Sequence, residues 1–251
     1  GSASRIYKTT DGGGHWKLQF QNQNPDAFYD CFDFWTPQRG ITFSDAAGGR
    51  FPAVRTQDGQ TWEEIGEMMP QPLTAEAAFA ASGTCVTTYG EKQAWIATGG
   101  AALARVLATT DGGDSWRATA TPLVAGQGAG GFTIAFRDSL NGIVAGGTLD
   151  TADTRPRNRL AVTGDAGKSW QLVSPPPFPG AVFGLSYVPG FGDHTVIATG
   201  PGGAAWSSDE GRTWNEMDDV KNYWAVAFAG SNGWLVGTEG RILRVVFPTT
   251  E

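Results

Sequence analysis

The segment TTDGGDSW at residues 109–116 is the clearest copy of a short pattern, Ser/Thr-x-Asp-x-Gly-x-x-Trp, that recurs along the chain. Further copies are TTDGGGHW at 9–16, TGDAGKSW at 163–170 and SSDEGRTW at 207–214, with a degenerate copy, RTQDGQTW at 55–62, in which Gln57 takes the Asp position. The five copies end in tryptophans spaced 44–54 residues apart, namely Trp16, Trp62, Trp116, Trp170 and Trp214. One four-stranded propeller blade has about this length, whereas most helical and leucine-rich repeats are shorter.

The chain between the motifs reads as short strands. Apolar and β-branched runs such as FTIAF (132–136) and GIVAGG (142–147) alternate with Gly-rich breaks every 8–12 residues, which is typical of antiparallel sheets. We therefore predict an all-β fold, a single β-propeller domain over residues 1–251 with four-stranded antiparallel blades. The repeats are predicted at 28–76, 77–130, 131–181 and 182–222, with partial repeats at 1–27 and 223–251.

The motif itself predicts a tight hairpin turn. The Asp carboxylate accepts backbone N–H groups of the turn, Gly supplies a positive φ, and the Trp ring packs over the base of the hairpin. We therefore expect a structural role rather than a ligand or metal role for the motif residues, which are Asp11, Trp16, Trp62, Asp111, Trp116, Asp165, Trp170, Asp209 and Trp214.

Composition narrows the classes of function. Asp and Glu number 25 against 18 Lys and Arg, and the net charge of −7 argues against nucleic-acid binding and adhesion to anionic membranes. No apolar run is long enough for membrane insertion. Cys31 and Cys85 have no CxxC spacing and no nearby His, so no metal or redox site is predicted. They occupy similar inner-strand positions in adjacent blades, where we expect Cα atoms beyond the 7 Å limit for a disulfide, and thus two buried free thiols.

The repeats resemble Asp-box repeats, also called bacterial neuraminidase repeats. SRIYKTTDGGGHW (4–16) and GWLVGTEGRILR (233–244) are similar to the photosystem II assembly and stability factor family of β-propellers and its relatives in non-photosynthetic bacteria. The resemblance covers nearly the whole chain. It implies six or seven blades in the full protein, with an amino-terminal part outside this chain. We expect a bacterial, extracytoplasmic protein, periplasmic or secreted, whose signal peptide is not part of this sequence.

Arginines recur six residues before the motif Asp. Arg5, Arg105 and Arg159 hold this position, Arg241 holds the equivalent one in the last repeat, and Arg50 is displaced by one or two residues. Equivalent positions form a ring about a propeller axis, and long connections lie on the same face. The predicted basic binding patch consists of Arg50, Arg105, Arg155, Arg157, Arg159 and Arg241. The alternative is that each Arg pairs with an acid of the neighbouring blade and stiffens the junction.

Two functions follow from these residues. The first is a non-catalytic binding or assembly-factor propeller whose arginine-bearing face holds an acidic or carboxylate-bearing segment of a client protein. The resemblance to the photosystem factors supports this first function, because the members of that family bind a client polypeptide on an arginine-rich patch. The alternative is a glycoside hydrolase acting on carbohydrate, sialidase-like or another Asp-box enzyme. Its candidate catalytic carboxylate is Glu76 with Asp150 or Asp153, and no Tyr–Glu nucleophile pair can be assigned from the sequence. The Gly-rich stretches open no helix, so no cofactor is expected.

Overall fold

The computed structural model describes residues 1–149 and 158–247, and these residues form an all-β propeller arrangement. An amino-terminal sheet is followed by four blades, A to D, and a carboxy-terminal sheet. The amino-terminal sheet contains β1 (Arg5–Lys8) and β2 (Lys17–Gln21). The carboxy-terminal sheet contains β19 (Tyr223–Ala229), β20 (Asn232–Gly237) and β21 (Ile242–Val246), and these two are the outer sheets. Blade A contains β3 (Tyr29–Thr36), β4 (Arg39–Ser44), β5 (Ala53–Thr56) and β6 (Glu63–Glu64), and blade B contains β7 (Val86–Tyr89), β8 (Gln93–Ala97), β9 (Arg105–Thr109) and β10 (Arg117–Ala120). Blade C contains β11 (Ala129–Phe136), β12 (Gly142–Thr148), β13 (Leu160–Thr163) and β14 (Gln171–Leu172), and blade D contains β15 (Gly184–Tyr187), β16 (Val196–Gly200), β17 (Gly203–Ser207) and β18 (Asn215–Glu216).

Each of blades A to D is a meander of four antiparallel strands in chain order. The first strands of successive sheets contact one another, β3 with β7, β7 with β11, β11 with β15 and β15 with β19, so they form the inner row of the propeller. The predicted fold class, an all-β propeller of four-stranded antiparallel blades, is therefore confirmed.

The core is a series of apolar layers between neighbouring sheets. In β8, Ile96 packs in the layer between blades A and B, whereas Trp95 and Ala97 pack in the layer between blades B and C. Successive residues of a strand point to opposite faces, and here both faces are buried. Trp95 has no exposed surface and its ring is stacked on that of Phe136, with centroids 3.5 Å apart. This burial explains the continuous apolar runs of the second strands.

The two outer sheets bury less apolar surface than the blades between them. Phe32 of blade A, which faces the amino-terminal sheet, is 66% exposed, and Ile242 of β21 is 71% exposed. In blades A to D the third strand is paired on both edges, whereas β1 and β21, which stand at the equivalent position, each pair with one strand among the described residues. Apolar side chains of the two outer sheets, and those that face the amino-terminal sheet, are therefore more exposed than those between blades A and D.

Cys31 and Cys85 form a disulfide between blades A and B, with Cα atoms 5.9 Å apart. The prediction of two free thiols was wrong, because it overestimated the separation of adjacent inner strands. The Ile134 N–H donates a hydrogen bond of 3.1 Å to the Thr84 carbonyl, which shows that neighbouring inner segments come within main-chain hydrogen-bonding distance. The separation of 5.9 Å is within the normal range for a disulfide.

We expect the disulfide to stabilise the fold, because it closes a loop of more than fifty residues in the unfolded chain. The double variant Cys31→Ala/Cys85→Ala should lose about 2–4 kcal/mol of unfolding free energy, or roughly 5–15 °C in Tm for a domain of this size. Thermal melts followed by circular dichroism, with and without dithiothreitol, measure this. The reductant should lower the Tm of the wild type and leave that of the double variant unchanged. A wild-type Tm that is insensitive to complete reduction would contradict the assignment.

Candidate functional site

In each motif turn, the aspartate carboxylate accepts hydrogen bonds from residues of the same turn. Asp111 accepts hydrogen bonds from the Ser115 backbone (3.0 Å), the Ser115 hydroxyl (2.6 Å) and the Thr109 hydroxyl (2.7 Å). Asp165 and Asp209 have the same set of donors, and at Asp11 the ring of His15 replaces the second hydroxyl. Hydrogen bonds from the His15 backbone and side chain lower the pKa of Asp11 to about 2. These oxygens are engaged within the turn.

Blade A has the same turn in a shortened form. Asp58, and not Gln57, takes the place of the motif Asp, since its carboxylate accepts the Thr61 backbone N–H and hydroxyl, both at 2.8 Å. The Thr56 hydroxyl accepts the Gly59 N–H at 2.9 Å, as Thr109 does for Gly113 in blade B. The interpretation of Gln57 as a replacement for Asp was therefore wrong, because this copy has one residue fewer between the Asp and Trp62.

Arg105 and Glu76, predicted as a binding and a catalytic residue, are partners in one buried ion pair. Both nitrogens of one edge of the guanidinium, Nε and Nη2, contact the Glu76 carboxylate, and Nη2 also donates to the Gln71 carbonyl at 3.0 Å. Glu76 further accepts the Thr98 hydroxyl at 2.6 Å and the Leu73 N–H at 2.8 Å, and its side chain has no exposed surface. This pair fixes the connection between blades A and B.

Arg159 is also directed into the protein. It is 2% exposed, and its guanidinium donates to the carbonyl groups of Pro176, Phe178 and Gly180, with the Phe178 oxygen at 2.7 Å. Its cationic group also lies over the Phe178 ring, 5.5 Å from the centroid. Arg159 thereby holds the proline-rich connection between blades C and D.

The remaining arginines of the predicted patch differ in exposure. The Arg50 side chain is 58% exposed and pairs with Glu67, whose side chain is 84% exposed. Arg241 is 44% exposed and pairs with Glu239 at 3.0 Å, two residues away in sequence. Arg155 and Arg157 lie outside the described residues, as do Asp150 and Asp153. Among the described arginines of the predicted patch, Arg105 and Arg159 stiffen junctions between blades, while Arg50 and Arg241 face solvent.

The Arg50 groove is a cavity of about 580 Å³ between the amino-terminal sheet and blade A. Its lining includes Arg50, Glu67, Tyr29, Glu64 and the amide-rich segment 22–24. Burial and the charge of Glu64 raise the pKa of Tyr29 to about 12, so the phenol keeps its proton at neutral pH. The groove therefore contains one solvent-facing guanidinium, neutral hydrogen-bonding groups and the carboxylates of Glu64 and Glu67.

A Tyr–Glu pair that sequence analysis did not assign lies in blade D, where it contacts Arg137 of blade C. The Tyr187 hydroxyl donates to Glu210 at 3.0 Å, and the same carboxylate receives Arg137 Nε at 2.6 Å and contacts His194 at 3.2 Å. Burial and the charge of Glu210 raise the pKa of Tyr187 far above its ordinary value, whereas hydrogen bonds from Arg137 and Tyr187 outweigh burial and lower that of Glu210. A tyrosine nucleophile needs the opposite arrangement, an acidic phenol beside a basic carboxylate. We interpret the cluster as a clamp between blades.

Residues 1–149 and 158–247 contain neither a cluster of metal-ligating side chains nor a membrane-spanning helix. These residues contain no group of three or more His, Cys, Asp and Glu side chains arranged to hold a metal ion. They form two short 3-10 helices, Gly66–Met68 and Thr238–Gly240, and neither has the length and apolar character needed to span a membrane.

Comparisons with known proteins give structural neighbours only. No protein-family model matches the chain, and no curated protein is similar to it in sequence. Among solved structures, YCF48 bound to D1 peptide matches 99% of this chain and 87% of its own length, with a TM-score of 0.51 and 16% identity. An ancestral GH74 enzyme matches 97% of this chain over 34% of its own length, with a TM-score of 0.67 and 12% identity. A chain of the nidogen/laminin complex matches 92% of this chain and 80% of its own length, with a TM-score of 0.55 and 12% identity. The predicted resemblance to the photosystem II assembly factors is confirmed at the level of the fold.

We expect the Arg105–Glu76 pair to be essential for stability, because removal of one partner leaves a buried charge. Arg105→Ala should cost about 3–5 kcal/mol in urea unfolding, whereas Arg105→Met combined with Glu76→Gln should cost less. The matched control is Arg241→Ala, an exposed arginine whose loss should change stability by less than about 0.5 kcal/mol. Equal, small effects of Arg105→Ala and Arg241→Ala would contradict the structural role.

Proposed function

We propose that the protein is a non-catalytic binding or assembly-factor propeller that holds an acidic or carboxylate-bearing segment of a client polypeptide in the Arg50 groove. The observation that carries the proposal is the exposure of Arg50. Its guanidinium lies in the Arg50 groove and faces solvent, whereas Arg105 and Arg159 are engaged with the connections between blades. Of the three, Arg50 is the one whose cationic group a client reaches without unfolding a junction.

Glu67 indicates which chemistry the groove accepts. A guanidinium binds carboxylates through charge-assisted hydrogen bonds, and in the structure Arg50 Nη1 donates one such bond to Glu67. An ion pair between two exposed side chains contributes little free energy, about 0–1 kcal/mol, so a client carboxylate can displace Glu67 at low cost. Gln23, Asn24 and the protonated Tyr29 supply neutral hydrogen-bonding groups along the same cavity, which suits the main chain of an extended peptide.

The comparisons support a polypeptide as the partner. YCF48, which shares the propeller fold with this chain, is described bound to D1 peptide. The disulfide between Cys31 and Cys85 supports the proposed extracytoplasmic location, periplasmic or secreted, because structural disulfides persist in oxidising compartments.

The glycoside hydrolase alternative draws its support from the GH74 neighbour, which shares the fold over about a third of its own length. Its candidate carboxylate, Glu76, is buried and bound to Arg105, Thr98 and the Leu73 amide, so it is poorly placed to transfer a proton to a substrate. Asp150 and Asp153, its proposed partners, lie outside the described residues. The geometry therefore favours peptide binding.

The proposal is tested with two fluorescent forms of one acidic decapeptide, one with a free carboxy terminus and one with a terminal amide. Fluorescence polarisation should show binding of the acidic peptide that weakens at least tenfold in Arg50→Ala, since a charge-assisted contact is lost. Glu67→Gln should strengthen binding about threefold, because the internal competitor no longer carries a charge.

Arg241→Ala is the matched control, an exposed arginine outside the groove, and it should bind as the wild type does. The difference between the free-acid and amide peptides shows whether the terminal carboxylate or an acidic side chain is bound. Binding that is unchanged in Arg50→Ala, or undetectable at millimolar peptide, would refute the proposal.

A further inference from the structure

A second cavity, of about 500 Å³, shares Tyr29 with the Arg50 groove. We call it the aromatic cavity, because its lining includes the rings of Tyr7, Tyr29, Phe32, Phe34 and Trp62. The Phe34 ring packs edge to face against the rings of Phe32 and Trp62, in both cases with centroids 6.1 Å apart. Phe32 is 66% exposed and Tyr7 is 50% exposed, so part of this aromatic surface is accessible to a partner.

Asp30 is the acidic residue of the same lining. Its Oδ2 is buried without a hydrogen-bond partner, and within residues 1–149 and 158–247 no basic side chain forms an ion pair with it. Arg5, the basic residue of the lining, donates from Nη1 to the Ala3 carbonyl instead. Buried carboxylate oxygens normally have a hydrogen-bond donor. Asp30 therefore gives the aromatic cavity a carboxyl group that is able to accept a donor from outside the chain.

A strand edge also lies at the aromatic cavity. Residues 4–7 form part of the lining, and β1, which contains most of them, pairs with β2 alone in the part of the chain that the structure describes. The third strands of blades A to D, by contrast, are paired on both edges. A free edge offers main-chain N–H and C=O groups to an extended segment of another chain. This edge favours a polypeptide over a small molecule as the partner.

We propose that the aromatic cavity binds a cationic side chain, lysine or arginine, of an extended polypeptide segment, with the cationic group at Asp30 and the alkyl chain against the aromatic rings. Opposite charge makes a cation complementary to the Asp30 carboxylate, and charge-assisted hydrogen bonds to carboxylates are strong. Aromatic rings attract cations, and the methylene groups of lysine and arginine pack on apolar surface. An apolar side chain would leave the Asp30 carboxyl group without a donor. The inference does not depend on binding in the Arg50 groove.

The charge state of Asp30 sets the conditions of the test. Burial, followed by the charge of Asp45, raises the pKa of Asp30 to about 8. A bound cation favours the ionised carboxylate and so opposes this shift. Binding is therefore measured at about pH 8.5, where the carboxylate forms readily and a lysine ammonium group keeps its proton.

Isothermal titration calorimetry with two blocked pentapeptides tests the proposal. Both are acetyl-Thr-Val-Xaa-Val-Thr-amide, and Xaa is lysine in one and norleucine, an uncharged aliphatic residue, in the other. In the wild type the lysine peptide should bind roughly tenfold more tightly than the norleucine peptide. Asp30→Asn should abolish this difference, because the amide has nearly the same shape and no charge. Asp26→Asn, which changes an exposed carboxylate outside the aromatic cavity, is the matched control and should keep the difference.

Phe32→Leu gives a second test that does not alter the carboxyl group. Phe32 is largely exposed, so the variant should fold, and loss of the ring should weaken binding of the lysine peptide about two- to fivefold. Equal affinities of the two peptides for the wild type would overturn the proposal, since the occupant would then be apolar. Equal losses in Asp30→Asn and Asp26→Asn, or no binding at millimolar lysine peptide, would also overturn it.

Discussion

The structure depends on one constraint, namely that a sheet of four short strands needs a neighbour on each of its two faces. Ile96 and Trp95, adjacent in β8, are both fully buried, but in different apolar layers. No blade can therefore complete its core alone, and polar groups at the junctions must be satisfied between blades. The repeated geometry of the blades and the strength of each junction are consequences of the same packing.

This constraint separates the arginines into two groups. Connections between blades leave carbonyl and N–H groups that no strand pairs, and Arg105 with Glu76, and Arg159, satisfy these groups at two junctions. Arginines used in this way are withdrawn from solvent. Arg50 lies on a turn at the edge of blade A and pairs with Glu67, which is exposed. It can therefore exchange this partner for another carboxylate without disturbing a junction between blades. Function in this scaffold is accordingly expected beside the junctions, not within them.

Sequence analysis predicted the fold well because its evidence was local. The turn at Asp111 is formed by Thr109, Ser115 and the glycines between them, so five copies of one motif were sufficient to indicate blades. One error, at Gln57, concerned the spacing within a single turn, whereas the others concern contacts between blades. The Cys31–Cys85 bond and the Arg137–Glu210 ion pair depend on how closely neighbouring blades approach, which no spacing encodes. The recurrence of arginine was visible in the sequence, but its direction, inward at Arg159 and outward at Arg50, was not.

Hydrogen exchange of the free protein, followed by mass spectrometry, tests the central claim that the arginines within the connections are structural. The account predicts that the amides of Leu73 and Glu76 to Ala78 are protected as strongly as those of the strands of blade B, and that Arg105→Ala removes this protection while strands of blades C and D keep theirs. Rapid exchange of these amides in the wild type would contradict the account, because it would mean that the connection is free and that Arg105 is available to a ligand.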